Sequence, residues 1–75
     1  MRRNTAAERR ELMASTGPEG MGFKRFDRVR SPRGVEYIFI GIRDGEACVE
    51  RCDGKDPLFE KVDAFDFQYW KVIKS

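Results

Sequence analysis

The sequence predicts an all-β domain, a small five-stranded barrel preceded by a short N-terminal α-helix on a flexible linker. Three observations carry that prediction. The aromatic bulk, six Phe, two Tyr and one Trp, lies wholly after Gly22. Beyond that point short apolar segments alternate with turn signals at roughly the 8–12-residue spacing of sandwiches and barrels. The chain has 75 residues, and chains this short bury only about 60% of their unfolded surface, so one aromatic-rich core must serve.

Taken in order, Thr5-Ala6-Ala7-Glu8 has the spacing of a capping box, in which the Thr hydroxyl and the Glu carboxylate satisfy each other's free N–H groups. Good helix formers follow, and a helix over Thr5–Ala14 is predicted. It is short and offers little beyond Leu12 and Met13 as an apolar side, so it must dock or fray. Ser15 to Gly22, with three Gly and one Pro, has the composition of a flexible linker. Residues 1–22 thus form a basic helix and linker, and residues 23–75 the barrel. Phe26–Arg30 is its first strand, with Val29 inward and the charges outward. Ser31-Pro32-Arg33-Gly34 fits a type I turn. Val35–Ile42 is the second strand, and Asp44-Gly45 signals a two-residue hairpin to the third, Ala47–Cys52. Pro57–Val62 is a fourth strand, Asp63–Asp66 a single 3₁₀ turn, and Gln68–Ile73 the last strand.

The second strand breaks the pattern of a half-buried strand. Val35, Tyr37 and Phe39 share one side, Ile38, Ile40 and Ile42 the other, and both sides are apolar. Its outer face therefore requires a cover: the helix through Leu12 and Met13, a second copy of the chain, or another protein.

This layout, five strands with a helical turn before the last, resembles the SH3-like small barrel over about Phe23 to Ile73. Similar layouts occur in Tudor, KOW and chromo-like modules. The segment Phe23-Lys24-Arg25-Phe26-Asp27-Arg28-Val29-Arg30, followed by Gly34, is similar to the opening of the small plasmid-borne type II dihydrofolate reductases, SH3-like barrels that form a tetramer around a shared pore. That family's Val-Gln-Ile-Tyr active-site run has its nearest counterpart here in Pro57-Leu58-Phe59-Glu60, which lacks the Gln and the Tyr. The resemblance therefore implies the fold and not the reductase activity.

Chemistry is sparsely provided for. The chain has no His, and its hydroxyls are confined to Thr5, Ser15, Thr16, Ser31 and Ser75 outside the tyrosines, so no nucleophile stands with an obvious base. Asp53/Asp56 and Asp63/Asp66 lie in turns, where Asp serves local hydrogen bonds. Cys48 and Cys52 would lie about 13 Å apart on one strand at ~3.3 Å per residue, too far for a disulfide. With no second pair they make no zinc site. No enzyme activity, metal or cofactor is expected. Two reduced thiols, and the lack of a stretch of about 20 apolar residues, indicate a cytoplasmic protein without a membrane span.

Binding has more support. Residues 1–43 hold ten Lys/Arg against five Asp/Glu, a balance of +5, and residues 44–75 hold five against eight, a balance of −3. Lys24, Arg25, Arg28, Arg30, Arg33 and Arg43 cluster on the first strand, its turn and the end of the second, and such a cluster can neutralise DNA or RNA phosphates. Arg2, Arg3, Arg9 and Arg10 can add an arm. Tyr37, Phe39, Tyr69 and Trp70 can stack unpaired bases where exposed. Two alternatives stand beside this one. Tyr37, Phe39, Phe67 and Trp70 form a cage for a methylated cation if they converge. A protein-contact module or homo-oligomer would use Val35, Tyr37, Phe39, Leu12 and Met13, or the acidic Asp53–Asp66 edge.

Overall fold

The computed structural model describes residues 5–73, which form seven strands in two antiparallel sheets with a helix at the N-terminal end. Helix α1 spans Thr5–Ser15, one residue beyond the predicted end. Strands β1 (Glu19–Gly20) and β2 (Phe23–Lys24) make a miniature hairpin. The main sheet contains β3 (Arg28–Arg30), β4 (Glu36–Arg43), β5 (Glu46–Arg51), β6 (Phe59–Asp63) and β7 (Lys71–Val72), in the order β6-β5-β4-β3-β7. Helix α2 (Ala64–Phe67) replaces the predicted 3₁₀ turn, and the Asp63 carboxylate caps it by accepting from the Phe65 N–H at 3.0 Å. The last strand is far shorter than the predicted Gln68–Ile73, because α2 and its closing turn take up the residues before Lys71.

Turn chemistry explains the register. Asp44 and Gly45 have φ of 52° and 76°, the left-handed pair that a type I′ hairpin requires. Met21 and Gly22 repeat it at 57° and 84° between β1 and β2.

Residues directly opposite on paired strands share a face. Val29 faces Tyr37, Phe39 faces Val49, and Ala47 faces Val62, and these are the inward residues. The core they build is completed by Phe23 and by Phe67 of α2. Phe67 is its hub, with ring centroids 4.6 Å from Phe23, 5.6 Å from Phe39 and 5.2 Å from Trp70. Tilted and offset aromatic pairs at these separations add about 0.5–1.5 kcal/mol each beyond burial.

Strand β4 departs from simple alternation. A bulge between Phe39 and Gly41 inserts Ile40 as an extra residue. Ile42 is thereby turned to the inner side, packing on the core with Val35, Val62 and Trp70, contrary to the predicted grouping with Ile38 and Ile40. Ile40 is fully buried outside that core.

The cover for the outer face is α1, which packs on β4. Its Leu12 and Met13 are half-buried, and Leu12 borders a small hollow with Cys48 and Phe59. Polar bonds hold the helix in place. Arg9 donates from two nitrogens to the two oxygens of buried Glu50, at 2.8 and 2.7 Å. The predicted flexible linker is in fact docked. Gly17 exchanges two backbone bonds with Ile42, at 2.8 and 3.0 Å, and the Thr16 side chain is buried against Gly41. Residues 26–30 pair with β4 only as far as Phe39, and the linker satisfies the Ile42 backbone beyond that point.

A Cβ at Gly41 would collide with the Thr16 hydroxyl and come within 2.7 Å of the Gly17 carbonyl oxygen. Gly41→Ala is therefore expected to cost about 2–3 kcal/mol through overpacking. Urea unfolding checks this, and an unchanged midpoint would mean that residues 16–17 do not sit on the bulge.

Candidate nucleic-acid interface

The six predicted cations do not form one patch. Arg28 and Arg30 flank buried Val29 on β3, so both project from the same exposed face. Lys71 of β7 lies opposite Arg30 in register and joins them. Lys71 is not legible in the sequence as part of this face, because 41 positions separate it from Arg30 and only the β3–β7 ladder brings the two together. Glu36 stands among the three, 3.8 Å from Arg28 and 3.9 Å from Arg30, and Asp53, held by Arg51, borders the same hollow as Arg28 and Glu36. Ion pairs this long and exposed are worth little, about 0–1 kcal/mol, so the guanidinium groups stay available to a stronger anion. In the next row Arg28 lies opposite Ile38, and Ile38 opposite Glu50, whose charge Arg9 answers.

The other predicted cations lie elsewhere. Lys24 faces Glu19 across the β1–β2 hairpin. Arg43 faces Glu46 across the Asp44–Gly45 turn and borders a hollow with Glu8 and Glu11. Arg33 sits in the β3–β4 turn on the rim of a different concavity. Arg2 and Arg3 lie outside the described residues.

Arg25 is a structural residue, contrary to its predicted role in phosphate binding. Its Nε donates to the Ile40 carbonyl at 2.8 Å, and its terminal nitrogen to the carbonyls of Met13 at 2.9 Å and Thr16 at 3.0 Å. The first acceptor is the bulge residue, which the sheet ladder skips. The others lie at the C-terminal end of α1, where carbonyls lack helical partners. One side chain satisfies both defects.

The predicted partner surface is also largely internal. Phe39 is 0% exposed and Tyr37 is buried, so neither is presented to a partner, and Val35 is half-buried against the core. Leu12 and Met13 are occupied by the α1–sheet contact. The aromatic cage fails for the same reason: Phe39 and Phe67 are core, although Tyr37 and Trp70 do meet, at 4.9 Å between centroids. These two line a concavity of about 460 Å³ with Arg33, Arg51, Glu60 and Asp66. Three of its polar groups, those of Tyr37, Arg51 and Glu60, are engaged with one another or with Asp53. The Tyr37 hydroxyl donates to Glu60 at 2.7 Å, Arg51 donates to that hydroxyl at 3.4 Å, and Arg51 grips Asp53 through two bonds of 2.8 and 2.6 Å. Burial, then the bond to Glu60, pushes the Tyr37 phenol up to about 12, while Arg51 and the Lys55 N–H hold Asp53 well below the usual carboxylate range. Cys48 is buried and Cys52 exposed, both as free thiols. Among the described residues no helix is long and apolar enough to cross a membrane.

No protein family, no curated protein and no solved structure matches this chain.

Two outcomes follow from these bonds. Arg25→Lys, which cannot reach all three carbonyls with one ammonium, should lower stability by about 2 kcal/mol in urea titration; a variant as stable as the parent would remove Arg25 from its bridging role. The Tyr37 phenol has a folded value above its ordinary one, so the stability it contributes is intact below pH 10 and is lost as pH rises from 10 toward 12. Thermal melts across that window should fall more steeply for the parent than for Tyr37→Phe.

Proposed function

We propose that this chain is a small non-catalytic binding module that acts in the cytoplasm and binds nucleic acid by its phosphates on the outer β3–β7 face. The observation that carries this reading is the grouping of Arg28, Arg30 and Lys71 on one exposed face of two paired strands, with Glu36 as the carboxylate among them. Three such cations neutralise phosphates and release their counterions, which is where sequence-independent affinity originates. The +5 balance of residues 1–43 favours the same kind of partner.

The fold we propose is the SH3-like small barrel. The strand order β6-β5-β4-β3-β7, the bulge in β4, the helical turn between the last two strands and the shared aromatic core all support it. A non-catalytic role is supported by the employment of the hydroxyls: Thr16 donates to the Leu12 carbonyl at 2.6 Å, and Ser31 accepts from the Val35 N–H at 3.3 Å. Against the alternative of a protein partner seated on Tyr37 and Phe39 stands their burial.

The test is fluorescence anisotropy with a labelled oligonucleotide across a salt series. The parent should bind with an affinity that falls as salt rises. Arg28→Ala/Arg30→Ala/Lys71→Ala should lower the slope of log K against log salt by about 2, at ~0.7 per phosphate contact on a single strand. Arg43→Ala, on the far end of β4, should leave the slope unchanged. A triple variant that binds as the parent does would overturn the proposal.

A further inference from the structure

Exposed large apolar side chains need an account where they gather beside a charged patch. Three aromatic rings on this molecule are more than half exposed: Phe26 at 56%, Phe65 at 68% and Tyr69 at 60%. Their positions relative to the cationic strand pair are informative. Tyr69 precedes Lys71 by two residues, so at most about 7 Å of backbone separates their Cα atoms. Lys71 is paired with Arg30. Trp70, between Tyr69 and Lys71, packs on Tyr37 and Phe67, which leaves its two exposed neighbours turned away from the core. The Phe65 ring meets Tyr69 edge-on with centroids 6.2 Å apart, bracing it as a shelf. At the other end of β3, Phe26 precedes Arg28 by two residues.

Phe26 carries a second signal. Its φ is 73°, in the left-handed region where a bulky side chain is disfavoured by roughly 1–2 kcal/mol and Gly is at ease. The backbone there is fixed by two bonds to β4, Phe26 N–H to Phe39 O at 2.7 Å and Phe39 N–H to Asp27 O at 2.8 Å. A mostly exposed ring is thus held at a strained position directly beside the cationic strand.

We infer that the ligand of this face is single-stranded nucleic acid, its phosphates on Arg28, Arg30 and Lys71 and its bases stacked on Tyr69 at one end and Phe26 at the other. This rests on the phosphate-binding reading above and adds the strandedness. A duplex keeps its bases stacked on one another and offers its phosphates alone; a single strand offers the π-face of each base as well, and an exposed ring beside a cationic track captures it without regard to sequence.

The experiment compares an oligothymidylate of about a dozen nucleotides with a duplex of similar length. The variants are Tyr69→Ala, Tyr69→Phe and Phe26→Gly, the last chosen because Gly fits the left-handed backbone. The parent should favour the single strand. Tyr69→Ala and Phe26→Gly should each weaken oligothymidylate binding roughly tenfold while leaving duplex binding within about twofold, and Tyr69→Phe should bind like the parent. Thermal melts establish that each variant is folded. A parent that prefers the duplex, ring variants that bind oligothymidylate undiminished (the result if these rings serve a protein contact), or equal losses on both probes would each overturn the inference while leaving phosphate binding in place. A parent that binds neither probe would overturn the phosphate reading and this inference together.

Discussion

The guanidinium of Arg25 is the point on which the rest of the structure depends. Strand β4 cannot satisfy itself: its bulge leaves Ile40 outside the ladder, and a buried carbonyl without a partner costs about 1–3 kcal/mol. Helix α1 ends with the same defect in its last turn. Arg25 lies between the two and bonds to both. A helix with half-buried Leu12 and Met13 as its largest apolar contacts would otherwise have little reason to stay on the sheet. The docking is polar at both ends, with Arg9 on Glu50 near the start and Arg25 at the finish, and the covered apolar residues fill the space between.

That arrangement resolves the two apolar faces of β4 asymmetrically. The inner face enters an aromatic core centred on Phe67, which arrives from α2 rather than from a strand. The outer face is split. Ile40 and Cys48 are buried on the helix side, while Ile38 lies between Glu50 and Arg28. The helix therefore covers one part of the outer face, and the β3–β7 part, with its cations, stays open.

The order of the main elements was legible because it rests on local signals. Alternation marks β3, Asp-Gly marks the β4–β5 turn, and Asp63–Asp66 marks a helical turn whose α-helical form, α2, the sequence did not give away. The Met21-Gly22 turn was missed because it lacks the Asn or Asp that ordinarily announces a type I′ hairpin, so a docked segment had the composition of a linker. The bulge was missed because nothing in Phe39-Ile40-Gly41 says which residue will be unpaired. The candidate face was half legible. Arg28 and Arg30 follow from period-2 alternation around Val29. Lys71 depends on a ladder between distant segments, and Arg25 depends on the bulge. Sorting the aromatics into core and surface required the tertiary packing, since Phe65 and Phe67 differ by two positions on one short helix and have opposite fates.

The pairing of Val29 with Val72 joins residues 43 positions apart. Hairpins β4–β5 and β5–β6 close over short loops and can form early, whereas β7 must find β3 across most of the chain, a late and entropically costly contact. Lys71 joins Arg28 and Arg30 only once that closure is made. Until β7 pairs with β3, the proposed surface lacks Lys71. On the proposed reading, ligand binding and the β3–β7 closure are linked equilibria, and a ligand that spans β3 and β7 holds the two strands together.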